Sequence, residues 1–127
     1  MNRCPFCSLK QSRIVGHCES ALAIRDAFPV TDGHTLVVPR AHVKSFFDLN
    51  GQDQAAVWAF VAEVRETLLG ELGVTSFTIG INDGESAGQT VEHAHIHLIP
   101  RRNEDVADPR GGVRHVIPPK ARYWSED

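Results

Sequence analysis

Three histidines alternate with small or aliphatic residues in the run from Val91 to Ile99, and Pro100 follows this run. Side chains two residues apart in a β-strand point to the same face of the sheet. The pattern therefore predicts a strand with two unlike faces. An apolar core receives Ala94, Ile96 and Leu98, and the other face presents the imidazoles of His93, His95 and His97. A chain with such a strand is expected to fold around a sheet whose two faces differ.

The rest of the chain predicts further strands and one long helix. Between Asp48 and Leu72, apolar residues recur at steps of three and four, which is the period of an amphipathic helix. Asn50 is placed to cap the start of this helix, and Gly70 and Gly73 mark its end. Short β-rich segments predict strands at Ile14 to Glu19, Ala21 to Arg25, His34 to Val38 and Thr75 to Ile81. The outline is an α+β domain, a mainly antiparallel sheet with one long helix and an irregular C-terminal tail.

Length and composition limit the organisation and the partners. At 127 residues, the chain fits one domain spanning 1–127, in which 1–10 form a loop around two cysteines and 101–127 form the tail. A net charge of −3 argues against nucleic-acid binding, and the short apolar runs argue against a membrane span. Since the N-terminus lacks the apolar core of a signal peptide, we expect a cytoplasmic protein without a membrane or nucleic-acid partner.

Three imidazoles on one face indicate chemistry, because they offer no useful packing and repel one another when charged. The backbone positions of His93 and His97 are about 13 Å apart in a strand. Zinc–nitrogen bonds are only about 2.0–2.1 Å long, so at most two of the three histidines share one metal. A free imidazole, with an unperturbed pKa of about 6.5, is a good nucleophile for phosphorus near pH 7. The central His95 is the candidate nucleophile, and His97 is the candidate for protonating the leaving group.

Cys4 and Cys7 have the Cys-x-x-Cys spacing of a metal or redox site. In a reducing compartment, two such thiols suggest metal binding or redox chemistry before a structural disulfide. A tetrahedral zinc needs two further ligands, which His42 and His93 supply better than Cys18 does. A thioredoxin-like role is disfavoured because no helix follows Cys4 directly. A reduced pair without a metal is the alternative.

Several segments resemble the histidine triad family. The run His93-Ala94-His95-Ile96-His97-Leu98-Ile99 fits the signature of that family, in which three alternating histidines are followed by two apolar residues. Residues 21–26 and 34–42 are similar to its early strands, and residues 82–84 and 87–91 are similar to the loop before its triad. The resemblance extends over nearly all of residues 4–102.

The resemblance implies roles for individual residues. It makes His95 the nucleophile that attacks the α-phosphate of a nucleotide ester, anhydride or phosphoramidate and forms a nucleotidyl-histidine. It also implies that Asp26 holds the ribose hydroxyls and that Phe28 contacts the base. Around the phosphates and the leaving group it places Asn82, Gln89, Thr90 and His97. Alternatives stay open, because Asp26 could be a turn or cap residue, and Gln89 and Thr90 could merely shape their loop.

The resemblance also implies a metal and an assembly. Family members with an N-terminal Cys-x-x-Cys, and the related galactose-1-phosphate uridylyltransferases, hold a zinc ion with two cysteines and two histidines. The corresponding ligands here are Cys4, Cys7, His42 and His93. Four protein ligands leave no open position, so this zinc is expected to be structural. Family members are usually homodimers, which the sequence itself does not establish.

The tail resembles an extension of bacterial-type members over residues 109–118. Trp124 resembles an aromatic tail that, in some branches of the family, approaches the site of the partner subunit. Surface packing of Tyr123 and Trp124 within one chain is the alternative.

Three functions compete at this point. The first is a nucleotidyl hydrolase or transferase. Residues 87–91, followed by Pro100 and Arg101, resemble the fragile histidine triad branch of dinucleoside polyphosphate hydrolases, whereas Asp26 resembles the phosphoramidase branch. The second is a nucleotide-binding module with weak or no turnover. The third is a metal-dependent hydrolase in which His93 and His95 are paired ligands of an open metal site.

Overall fold

The computed structural model describes residues 4–125, which form a five-stranded antiparallel sheet and one long helix. The strands are β1 (Ile14–His17), β2 (Ala21–Arg25), β3 (Thr35–Pro39), β4 (Ser76–Gly80) and β5 (Ile96–Arg101), and the helix α1 spans Gly51–Leu72. Their spatial order is β1-β2-β3-β5-β4, so β5 lies between β3 and β4. The predicted α+β class is confirmed.

Helix α1 has the N-cap that the sequence predicts, but it continues past Gly70, one of the two glycines expected at its exit, to Leu72. The side chain of Asn50 accepts a hydrogen bond of 2.8 Å from the backbone N–H of Asp53, which satisfies a donor that the first turn leaves free. Gly73 ends the helix with a left-handed φ of 65°. The buried residues of the predicted stripe are Val57, Phe60, Val61, Val64 and Leu68. Within residues 4–125, no helix has the length and apolar character needed to cross a membrane.

The sheet is covered differently on its two faces. The larger core contains the buried residues of α1 and buried strand residues that include Val37, Ile96 and Leu98. Burial of each such aliphatic side chain contributes roughly 1.5–3 kcal/mol. A smaller cluster consists of Ile24, Leu36 and Val38, packed against Phe6, Leu9 and Ile14. His97 pairs with Leu36 across the sheet and therefore lies on the face of this smaller cluster.

Strand β5 begins later than the sequence predicts. Its ladder with β3 starts where Ile96 pairs with Val37, so His93 and His95 precede the strand. The cause is Pro39 at the end of β3, because proline has no backbone N–H to extend the ladder. Its carbonyl oxygen instead bonds the ring of His93 at 2.8 Å.

Pro100 lies within β5, although the sequence predicts that it ends this strand. Beyond Leu98, β5 pairs only with β4, so a proline costs no hydrogen bond on the other side. The Pro100 carbonyl accepts a bond of 2.7 Å from the hydroxyl of Thr31. The strand consequently continues to Arg101.

The C-terminal tail is more ordered than the sequence predicts. Two short 3₁₀-helices, Gly112–Val116 and Pro118–Lys120, lie in the segment expected to be irregular. The guanidinium of Arg114 donates to two backbone carbonyls at the end of the second one, at 2.7 and 3.0 Å. Arg110 lies 4.4 Å from the ring centroid of Trp124. The tail aromatic thus packs on its own segment in this chain.

Candidate active site and metal centre

Four metal-ligating side chains meet where the N-terminal loop contacts the segment before β5. One donor atom from each of Cys4, Cys7, His42 and His93 lies within 4.8 Å of the other three. The sulfur of Cys4 is 3.2 Å from Nδ1 of His93, and the sulfur of Cys7 is 3.1 Å from Nδ1 of His42. Such separations are close to the edges of a tetrahedron with metal–ligand bonds of about 2.0–2.3 Å. The four predicted ligands are therefore brought together.

The hydrogen bonding of His93 determines which ring nitrogen faces this cluster. Its Nε2 donates to the backbone carbonyl of Pro39 at 2.8 Å, so the proton is on Nε2 and the lone pair is on Nδ1. Metal-bound histidines in proteins usually have such an acceptor behind them. Burial lowers the pKa of His93, which favours the neutral ring. The donor set and this orientation fit a zinc ion.

His95 uses a backbone carbonyl in the same way, but with its other nitrogen. Its Nδ1–H donates to the carbonyl oxygen of His93 at 2.8 Å, so Nε2 holds the lone pair. Among residues 4–125, His95 belongs to neither group that could hold a metal. Phe6 contacts the His95 ring edge-on, with centroids 5.1 Å apart. Because Phe6 lies between the two cysteines, the loop that carries them packs directly against this imidazole.

His97 is paired with His34, a residue to which the sequence analysis gave no role. His34 is 2% exposed, and its Nδ1 accepts the backbone N–H of Val30 at 3.1 Å. The proton of His34 is therefore on Nε2, which donates to Nδ1 of His97 at 2.9 Å. His97 then carries its proton on Nε2, a buried atom with no hydrogen-bond partner in the described part of the chain. A buried donor without a partner beside other candidate site residues is a candidate for a hydrogen bond to a ligand.

Asp26 lies beside the pair of histidines. Its Oδ2 is 3.5 Å from Nε2 of His34, and its Oδ1 accepts the backbone N–H of Phe28 at 2.8 Å. Asp26, His34 and His97 are close enough to hold a metal ion. A protonated Nε2 on His34 is not a metal ligand, however, so the hydrogen bonding disfavours that use. The carboxylate keeps further lone pairs, and the ring of Phe28 is 88% exposed.

The loop before the triad is held by Gln89. The side-chain carbonyl of Gln89 accepts the N–H of Gly84 at 2.9 Å, and its amide nitrogen donates to two backbone carbonyls at 2.8 and 2.9 Å. These are the contacts of a loop-shaping residue. Asn82 and Thr90 are exposed near the two ends of the loop. A contact of the three residues with phosphate stays a prediction.

The fold and this site define a class of protein: a small α+β domain that presents alternating histidines beside a centre of two cysteines and two histidines. The chain belongs to the histidine triad family, because the pattern of the HIT domain matches residues 9–104. The expectation drawn from the triad motif is confirmed.

Two relatives illustrate what is similar to this chain. An uncharacterized 16.1 kDa HIT-like protein of Mycoplasma pneumoniae is 36% identical over 104 residues, covering 79% of this chain and 72% of that protein. A bis(5′-adenosyl)-triphosphatase of Dictyostelium discoideum is 35% identical over 97 residues, covering 76% of this chain and 65% of that enzyme. The family thus includes proteins named as nucleotide hydrolases.

A similar solved structure is that of a Zn-bound histidine triad family protein from Mycobacterium smegmatis. It has a TM-score of 0.68 and 35% identity, with 75% of this chain and 69% of that chain covered. A similar protein thus binds zinc, and the cysteine–histidine cluster of this chain is compatible with zinc.

The burial of His97 is expected to make the stability of the fold depend on pH. Burial, assisted by the neighbouring His95 and His34, lowers the pKa of His97 to about 4, whereas an unfolded histidine titrates at about 6.5. Between these values the unfolded chain binds more protons, so stability is present at neutral pH and is lost as the pH falls. Because the ring is partly exposed, we expect a loss of only about 1 kcal/mol between pH 7 and pH 5.

The measurement is the free energy of unfolding in urea at pH 7 and pH 5, with and without His97→Gln. Both proteins carry Cys4→Ser, so acid release of a bound metal does not contribute. The glutamine variant should lose about 1 kcal/mol less on acidification. Equal losses in the two proteins would assign the acid sensitivity to other groups.

Proposed function

We propose that this chain is a nucleotidyl hydrolase or transferase that cleaves at the α-phosphate of a nucleotide through a nucleotidyl-histidine on His95. The observation that carries the proposal is the hydrogen bond from Nδ1 of His95 to the His93 carbonyl, which leaves the lone pair on Nε2. A neutral imidazole held in this way is a competent nucleophile toward phosphorus. The ring of His97 lies beside it, with centroids 5.2 Å apart.

In the first step, Nε2 of His95 bonds to the α-phosphorus, the bond from phosphorus to the leaving oxygen breaks, and its electron pair departs with that oxygen. The Nε2–H of His97 donates a hydrogen bond to the leaving oxygen. A pKa of about 4 keeps His97 neutral near pH 7, so its main contribution is this hydrogen bond. A polyphosphate leaves as an anion and needs no proton beyond this hydrogen bond. For an amine leaving group, the phosphorus–nitrogen bond breaks in place of the phosphorus–oxygen bond, and the amine takes up a proton from solvent.

In the second step, water or another acceptor bonds to phosphorus. The phosphorus–nitrogen bond breaks, its electron pair returns to Nε2 of His95, and one proton of the water passes to solvent. The bond from Nδ1 to the His93 carbonyl persists through both steps and stabilises the positive charge that the imidazole carries in the intermediate.

The substrate is held by groups around this pair of rings. Asp26 uses one oxygen on the Phe28 amide, and its remaining lone pairs can accept both ribose hydroxyls. The exposed Phe28 ring offers apolar contact to the base. Asn82, Gln89 and Thr90 belong to the loop assigned to the phosphates, in which Gln89 acts by fixing the loop.

A zinc ion held by the two cysteines and two histidines would be structural, because four protein ligands leave no open position. It would fix the N-terminal loop, and with it the Phe6 ring that contacts His95. The same ligand set weakens the alternative of a metal-dependent hydrolase, because Nδ1 of His93 faces the cysteines and not His95.

The test is to trap the covalent intermediate. The protein is mixed with a dinucleoside triphosphate labelled in its α-phosphate, quenched rapidly, and digested for mass spectrometry under conditions that preserve phosphorus–nitrogen bonds. We expect a nucleotidyl group on His95. Label on another residue would move the chemistry elsewhere, and bound nucleotide without label or turnover would favour the binding-module alternative.

A further inference from the structure

A cavity of about 330 Å³ lies between the tail and the sheet, outside the site described above. Ile99 of β5 and Thr78 of β4 line it from the sheet, Val30 from the loop before β3, and Val106, Pro109 and His115 from the tail. The three tail residues belong to a segment to which the proposed function assigns no role.

The cavity lies on the face of β5 that carries His97. Ile99 is the next residue after His97 on the same face of β5, about 6.6 Å further along the strand. The backbone N–H of Val30 donates to His34, which in turn donates to His97. The distance along the backbone from His95 to Ile99 is about 13 Å. A group attached to a phosphorus atom at His95 can therefore reach the cavity only if it is long.

The lining of the cavity favours an uncharged ligand. The charged groups at its edge already have partners: Arg101 bonds both oxygens of Asp105 at 2.7 and 2.8 Å, and Asp108 pairs with Arg110 at 3.0 Å. Four of the lining residues are apolar: Val30, Ile99, Val106 and Pro109. Val30 is 70% exposed and Val106 is 47% exposed, so a ligand between them would remove apolar surface from water.

Two polar groups in the lining add a preference for a heterocycle. The Nε2–H of His115 donates to the backbone carbonyl of Arg110 at 3.1 Å, which leaves Nδ1 as an acceptor. Thr78 accepts a bond from Arg101 at 3.0 Å, which leaves its hydroxyl proton as a donor. A planar ring with a hydrogen-bond donor for His115 and an acceptor for Thr78 matches these two groups. Its faces can contact the apolar residues of the lining.

A turn at two glycines shapes the tail wall of the cavity. Gly111 and Gly112 have positive φ values of 89° and 39°, and the N–H of Gly112 bonds the carbonyl of Pro109 at 3.3 Å. The 3₁₀-helix Gly112–Val116 begins there and carries His115. Pro109, Gly112 and His115 all line the cavity.

We propose that this cavity is a subsite for a planar heteroaromatic group at the far end of the leaving group. The proposal rests on the proposed function, since it takes the phosphorus atom to be at His95. A nucleoside joined through two further phosphate groups has the required reach, whereas ammonia or a short amine does not. The tail would therefore determine the specificity for the leaving group.

The experiment compares two substrates in two variants. Val106→Asp places a carboxylate in the wall of the cavity, and Val113→Asp places one on the same tail at a residue that is 63% exposed and outside the lining. For diadenosine triphosphate, Val106→Asp should lower kcat/KM roughly tenfold, the effect of losing about 50 Å² of apolar contact. For adenosine phosphoramidate it should change kcat/KM less than about twofold, as should Val113→Asp for either substrate.

Equal losses on both substrates, or no loss on either, would overturn the proposal. A second readout does not depend on turnover: each substrate is titrated into isotope-labelled His95→Asn protein, and backbone amide shifts are followed by NMR. Diadenosine triphosphate should move the amides of Val106, Gly112 and His115, and adenosine phosphoramidate should not. Unmoved amides contradict the subsite even in an active enzyme, whereas moved amides in a chain without turnover contradict the proposed function alone.

Discussion

Replacement of His95 by asparagine is expected to lower turnover of a nucleotide substrate by roughly 10⁶-fold, the scale seen when a catalytic nucleophile is removed. The reason is that asparagine has no lone pair of comparable nucleophilicity to form a bond to phosphorus. Its amide N–H can still donate to the His93 carbonyl, the bond that His95 makes through Nδ1. The nucleotide contacts assigned to Asp26 and Phe28 are unchanged, so nucleotide affinity should change less than about threefold.

The measurement combines steady-state hydrolysis with calorimetric titration of the nucleotide product. His17→Asn is the matched control, because His17 is exposed at the end of β1 and lies in neither metal-ligating group of the described residues. The control should retain full turnover. Full turnover in His95→Asn would exclude a nucleotidyl-histidine at this position, and a large loss of affinity would mean that the ring acts in binding.

The fold was predictable where local signals and tertiary packing agree. The apolar stripe of α1 and its Asn50 cap depend on residues close together in sequence, and the structure confirms them. The start of β5 was not predictable in this way. It depends on Pro39, which is more than fifty residues away in sequence and ends the partner strand. Period-two alternation identifies the face of a residue, but it does not show where the neighbouring strand stops.

The site shows the same division between local and long-range information. The triad motif pointed to His95 and His97 from adjacent residues alone. His34 was overlooked because a single histidine at the start of a strand is usually structural. Its importance appears only once β3 lies beside β5 and brings its Nε2 to 2.9 Å from His97. The pairing of strands that are distant in sequence is thus the missing information, and polar residues at the ends of paired strands are the signal to examine.

The cluster of two cysteines and two histidines is the clearest case of a prediction that spacing could not complete. Cys4 and Cys7 are recognisable as a pair, but the other two members of the cluster lie far along the chain. Their selection rested on the resemblance to the histidine triad family. The structure adds an independent reason, the bond from His93 to the Pro39 carbonyl that turns a lone pair toward the sulfurs.

Replacement of Cys4 by serine is therefore expected to remove bound zinc and to destabilise the protein. Zinc content should fall from about one ion per chain to nearly none, because three ligands remain and one thiolate is lost. The loss should amount to roughly 3 kcal/mol, or a decrease in Tm on the order of 10 °C. Inductively coupled plasma mass spectrometry of the purified protein and thermal unfolding followed by circular dichroism measure the two effects.

Cys18→Ser is the matched control, because Cys18 is a free cysteine outside the cluster and its sulfur lies 3.4 Å from the hydroxyl of Ser20. It should keep its zinc and nearly all of its Tm. Turnover should fall in Cys4→Ser as well, since release of the loop frees the Phe6 ring from His95. If the unaltered protein contains no metal, or if the two variants have equal Tm values, the four residues form only a hydrogen-bonded cluster and not a zinc site. If Cys4→Ser loses zinc but keeps full turnover, the metal does not affect the nucleophile.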